Sequence, residues 1–200
     1  MRVSQEAKAQ IKEKILVEAL SSLKVWGQSA APVDKIMKQL GLTSGALYSH
    51  FKSKDDLFAQ VILRELQRLI DLHSQQHKKY GTQTATKFIE YYLDERHIDG
   101  VERGCMFVAL GADMHRLKPS VRGLIEAKME LMFAAISEGL PHKRKVDRLR
   151  HAKFIFSSMV GALVMARAMK NDLVKTEMIR ITKQFLLTIT KDGVNYEIKQ

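Results

Sequence analysis

Cysteine is nearly missing from these 200 residues; Cys105 stands alone. One thiol closes no intrachain disulfide and builds no cysteine-based zinc cage, so a reducing compartment is expected. Proline is almost as scarce. Pro32, Pro119 and Pro141 each fall between apolar-periodic segments. A nearly all-helical chain requires that, because an interior proline removes a hydrogen bond and clashes with the preceding turn. No apolar run reaches the roughly 20 residues that span a bilayer. The longest, 154–166, contains Ser157 and Ser158, lies between Lys153 and Arg167, and reads as a buried helix. The first nine residues lack the apolar segment and cleavage site of a secretory signal, so no membrane partner and a cytoplasmic location are expected. Acidic residues are also short: 22 Asp and Glu face 33 Lys and Arg, a formal charge of +11 that favours an anionic partner, nucleic acid first.

The chain is 46% hydrophobic and 28% charged, which excludes bulk disorder and supplies a core for one compact unit or two small ones. Ile11, Ile15, Leu16, Ala19, Leu20 and Leu23 recur at helical spacing and predict a first helix ending before Gly27. Val33, Ile36, Met37 and Leu40 predict a second, with Pro32 at its first position and Gly41 as its stop. Thr43 then caps a third short helix running to about His50. Ser53 and Asp56 form a capping-box-like pair before a long fourth helix whose stripe, from Leu57 to Ile70, decays over 73–83 and breaks at Gly81. Beyond it helices are expected near 84–97, 105–117, 120–138, 144–169 and 174–190, with a frayed tail from 192 to 200. The expected fold is all-α. Residues 1–54 are expected to hold three short helices, with helix four (about 54–78) linking them to a larger helical body over 55–200.

Two short helices joined by a tight turn at Gly41 and Leu42 have the form of a helix-turn-helix, a pattern that is weak alone. The run from Gly45 through Ala46, Leu47, Tyr48, Ser49, His50, Phe51, Lys52, Ser53 and Lys54 to Asp55, Asp56 and Leu57 adds to it. With Ala19, Leu20, Gly27, Val33, Ile36 and Leu42, this stretch closely resembles the DNA-binding signature of the TetR family of bacterial transcriptional regulators. Ala31 and Pro32 replace the usual threonine and serine before helix two, Gln28 replaces an aromatic, and Lys24 and Trp26 are atypical.

The chemistry of the run is readable beside the resemblance. Thr43 and Ser44 offer hydroxyls at a helix start, where a phosphate oxygen is well received. Gly45 and Ala46 add almost no bulk, so the helix can approach the major-groove floor, with Ala46 near a thymine methyl and Leu47 turned inward. Tyr48 and His50 can reach phosphate or base edges, Lys52 and Lys54 add phosphate contacts, and Phe51 reads as core. Residues 1–54 carry nine Lys or Arg against four Asp or Glu, a denser basicity than the remainder, and Arg2 and Lys8 are placed to reach flanking DNA.

The resemblance implies a small-molecule pocket in the helical body. Tyr91, Tyr92, Cys105, Phe107, Leu110, Met132, Phe133, Phe156 and Met159 are its candidate lining, and an apolar or aromatic inducer would suit them. Cys105 follows Arg103 and Gly104 at a helix start, which leaves two readings open: a sensor thiol or a packing residue. Ala162, Leu163 and Ala166 with Phe185, Leu186 and Ile189 on the last two helices are the candidate interface of the homodimer that the resemblance implies. Glu90, Asp94 and His97 have a spacing compatible with a metal, but a solvated acidic face is the preferred reading, and neither metal nor cofactor is expected. The expected function is a ligand-responsive repressor on a palindromic operator. An all-α enzyme or metal carrier finds no phosphate-binding glycine loop, paired Glu-x-x-His motif or nucleophile elbow, and a basic membrane-surface protein is the third reading.

Overall fold

The computed structural model describes residues 5–94, 96–141 and 144–192. Arg2 and the tail beyond 192 lie outside the described residues. Among the described residues nine α-helices follow in order: α1 (Gln5–Ala30), α2 (Val33–Gln39), α3 (Lys54–Tyr80), α4 (Thr84–Tyr92), α5 (Arg96–Asp99), α6 (Met106–Met114), α7 (Pro119–Glu138), α8 (Lys145–Ala168) and α9 (Asp172–Asp192). Short 3₁₀ helices occupy Ser44–Ser49 and Gly81–Gln83, and no strand occurs among the described residues. The chain is all-α, which its sparse proline permits.

By contacts the chain forms two compact units: 1–67 with 101–128, and 68–100 with 129–200. In the first, Ile15, Ala19 and Leu23 repeat every fourth residue along α1 and are buried, with Ile36 and Met37 of α2, Leu47, Phe58 and Ile62. Helix α6 packs on α1 and adds Met106 and Leu110 to the same core. Helix α1 is interrupted at Gly27, whose backbone (φ 72°, ψ 175°) lies in a region essentially reserved for glycine. The next amide, Gln28 N–H, donates to Asp113 Oδ2 of α6 at 3.0 Å. Gly27→Ala is therefore expected to cost about 1–3 kcal/mol, both for the strained backbone and because its Cβ would meet Asp113 Oδ2 at 3.2 Å. Urea unfolding of the variant measures it, and an unchanged midpoint would contradict the strain.

Helix α2 ends in a Schellman arrangement. Leu42 N–H donates to Met37 O at 2.9 Å and Gly41 N–H to Lys38 O at 3.0 Å, with Gly41 at φ 69°. Pro32 sits at the N-cap rather than inside the first turn, and it makes no side-chain cap bond, since it has no donor or acceptor to offer. At the start of α3, Ser53 Oγ accepts from Asp56 N–H at 3.1 Å, while Asp56 Oδ2 accepts from Lys52 N–H at 2.7 Å. The capping pair forms, with the shorter Asp reaching back one residue further than the usual partner.

In the second unit α8 pairs with α9, α4 packs on α9, and α5 on α8. Gly139 lets the chain pass Thr84, since a Cβ there would stand 2.9 Å from Thr84 Cβ. The helix expected over 84–97 is broken instead. It ends at Tyr92, and Asp94 captures Arg96 through its backbone N–H (3.0 Å) and its guanidinium (2.7 and 3.1 Å), a local turn that outcompetes the helix. His97 Nδ1 then lies 2.9 Å from Tyr92 O, so Glu90, Asp94 and His97 do not share one helix face. The Arg167 guanidinium donates to His97 O (2.8 Å) and Ile98 O (3.0 Å), holding the short α5 in place. Helix α8 is long and apolar enough by length and composition to cross a bilayer, but its Ile155, Met159, Leu163 and Ala166 are buried in this unit.

Candidate DNA-binding surface and the helical body

The segment that follows the Gly41 turn is 3₁₀ rather than α-helical. Ala46 N–H donates to Thr43 O at 3.0 Å, Ser49 Oγ–H to Ala46 O at 2.7 Å, and Leu47 O accepts from both His50 N–H and Phe51 N–H. At three residues per turn, Leu47 points into the core at 1% exposure while the intervening positions face outward. Thr43, Ser44, Gly45, Tyr48, Lys52 and Lys54 are exposed; Ala46 and His50 are half-buried; Phe51 is buried. Thr43 takes an extended N-cap conformation without a side-chain cap bond, which leaves its hydroxyl available to an outside acceptor. Tyr48 is 63% exposed, a large aromatic with no packing reason to be there.

Charge gathers around this strip. Lys12 Nζ lies 5.4 Å from the centroid of the Phe51 ring. Burial first, then the charges of Lys8 and Lys12, push His50 below the ordinary imidazole range, so it stands uncharged at neutral pH with its buried Nδ1 unpartnered. Burial would raise the Asp56 carboxyl, but bonds from Gln60 and Lys52 N–H and the charges of Lys12 and Lys52 hold it below the usual range. The Gln28 side chain donates to Asp55 Oδ1 at 2.8 Å and ties the end of α1 to the start of α3. Lys24, buried at 8% exposure, donates from Nζ to Glu102 O at 3.3 Å. These roles of Gln28, Lys24 and Asp113 were not legible in the sequence, because their partners lie 27 to 85 positions away.

The family model of bacterial regulatory proteins, tetR family, matches residues 15–61, the segment that carries the carboxyl-terminal part of α1, all of α2, the exposed strip and the start of α3. Over residues 15–61 the chain matches the amino-terminal domain of that family. Solved TetR-like structures share the fold at low identity. The reduced form of NemR from E. coli is 15% identical with a TM-score of 0.73, covering 88% of this chain and 95% of that one. A TetR transcriptional regulator from Legionella pneumophila is 20% identical, TM-score 0.72, over 96% and 100%. FadR from Bacillus subtilis, solved in complex with stearoyl-CoA, is 16% identical, TM-score 0.66, over 92% and 99%. No curated protein matches the chain.

The candidate pocket residues are divided between the two units. Cys105, Phe107 and Leu110 belong to the first unit, and Tyr91, Tyr92, Met132, Phe133, Phe156 and Met159 to the second. Leu110, Met132 and Met159 are fully buried. Tyr92, Phe133 and Phe156 interlock edge-to-face, with centroids 6.2 Å apart for Tyr92–Phe156 and 5.9 Å for Phe133–Phe156. Tyr91, 68% exposed, lines a hollow on α3 and α4. Cys105 is half-buried at the N-cap of α6.

A larger apolar hollow of about 960 Å³ runs between α8 and α9. Ala162, Phe185, Leu186 and Ile189 line it, with Phe154, Met165 and Ile181. Phe154, Met165 and Phe185 are exposed at 54%, 48% and 72%. Leu163 and Ala166, also expected at an interface, are wholly buried within the unit's own core because they face the other side of α8.

His73 of α3, inside the stretch that reads as polar, is buried at 3% exposure with its ring edge-on to Phe88 at 4.4 Å. Burial, assisted by the charge of Arg68, lowers it from 6.5 to about 4. The unfolded chain therefore binds the proton first, so this contribution is complete above about pH 6.5 and is lost as the pH falls toward 4. The expected loss is on the order of 3 kcal/mol. Denaturant titrations at pH 7 and pH 4.5 should show the loss in the wild type and a shallower one in His73→Phe; identical pH slopes would count against it.

Proposed function

We propose that this chain is a ligand-responsive repressor that binds a palindromic operator as a homodimer and is released by a small-molecule inducer. The exposed strip of Thr43, Ser44, Tyr48, Lys52 and Lys54 after the Gly41 turn carries the reading, since it joins phosphate-seeking groups to a slender backbone edge. Residues 1–54 contact DNA and 55–200 hold the ligand and the second copy. The α8–α9 face supports the second copy: three large apolar side chains stand exposed on it, and two half-sites one helical turn apart need two recognition elements. FadR, similar in fold, was solved holding stearoyl-CoA, which supports a ligand in the helical body here. The chain acts by binding rather than by catalysis, in the cytoplasm. A gel shift with the DNA upstream of its own gene tests the reading. Sequence-specific retention, competed by the same DNA and not by unrelated DNA, is expected. Binding to anionic vesicles with no DNA sequence preference would replace it with a membrane-surface role.

A further inference from the structure

A second hollow, about 670 Å³, lies wholly within the second unit, between the carboxyl-terminal half of α3 and α4. That volume is in the range of small-molecule sites. Its wall combines aromatic surface with cations. The exposed Tyr91 and half-buried Phe88 of α4 face the space with Tyr80 of α3. Lys79 and Lys87 each hold an ammonium 5.0 Å from the centroid of the Tyr80 ring. Neither has a carboxylate partner among the described residues. Two like charges gathered at one ring favour an anion beside them. Of the two acids in the wall, Asp94 is taken by its bidentate bonds from Arg96, and Glu90 stays exposed to water.

His73 supplies the second observation. Its side chain lines the hollow, is 97% removed from solvent by its 3% exposure, and meets the Phe88 ring edge-on at 4.4 Å. Burial keeps the ring neutral, so it offers one N–H and one acceptor nitrogen.

We propose that this hollow binds a flat aromatic carboxylate, its ring against Phe88 and Tyr91, its acid group at Lys87, and a hydrogen bond from His73. The inference deepens the regulatory reading and rests on it for the consequence of binding, while the binding itself is measured without DNA. Isothermal titration of the full chain with 2-naphthoate, and with 2-naphthylmethanol as a neutral counterpart of equal shape, provides the test. The acid is expected to bind one per chain, at least tenfold tighter than the alcohol. Lys87→Met, an exposed change that leaves the core intact, is expected to erase that preference, and His73→Phe to weaken the acid about tenfold. Equal affinities for acid and alcohol, or an unaltered preference in Lys87→Met, would overturn the site. Operator release is read separately. Naphthoate binding that never alters DNA affinity would sink the regulatory reading and leave the site standing; other compounds releasing DNA with no naphthoate binding would do the reverse.

Discussion

Replacing Phe185 by glutamate is expected to convert the chain to a monomer and to abolish operator binding. Phe185 is 72% exposed in the single chain and lies in the apolar hollow of α8 and α9 with Phe154 and Met165. A twofold interface uses the same patch twice, so one substitution removes two buried phenyl rings. At roughly 1.5–3 kcal/mol for each buried ring, the dimer loses about 3–6 kcal/mol, on the order of a hundredfold to ten-thousandfold in its dissociation constant. Each introduced carboxylate must also be desolvated against apolar neighbours, which deepens the loss. Because Phe185 makes little contact with its own chain, the fold should survive, and circular dichroism should be unchanged. Sedimentation equilibrium at micromolar concentration measures the effect. A variant as dimeric as the wild type would remove this face from the interface.

The Tyr48→Ala and Lys54→Ala exchanges attack the other end of the proposed function. Both side chains are exposed, and Leu47 and Phe51 rather than these two fill the core, so stability should change little. A hydrogen bond to a charged group is worth about 1.5–3 kcal/mol, and each substitution acts in both subunits. Loss of the Lys54 phosphate contact should weaken all DNA sequences alike and lower the slope of log affinity against log salt by about one per subunit. A base contact by Tyr48 would instead relax specificity at one position of each half-site. Fluorescence anisotropy at several salt concentrations separates the two. Affinity and slope unchanged in both variants would dissolve the proposed contact surface.

Much of the chain as far as Gly81 was legible in order. Glycines at 27, 41 and 81 stop helices because each takes a positive φ, a local property that neighbouring sequence announces. The buried Ile15, Ala19 and Leu23 follow from period alone. The 3₁₀ geometry of Ser44–Ser49 left no mark, since six residues are too few for a period of 3.0 to separate from 3.6. His73 was passed over as the start of a polar stretch, although it stands seven positions after the buried Leu66, on the continuation of the same stripe.

The all-α class, the helix stops and the basic character of the amino-terminal stretch were determined by the sequence itself, because periodicity, glycine stereochemistry and charge act between residues close along the chain. Tertiary structure alone decided which apolar residues are filler and which are free. Tyr92, Phe133 and Phe156 meet edge-to-face, and Leu163 and Phe185 look alike in sequence while one is fully buried and the other 72% exposed. It also decided that Asp113 of α6 would receive the amide left over at the break in α1. The physical reason is that burial and capping across helices depend on which faces meet, and those meetings are set by packing among segments far apart in the chain.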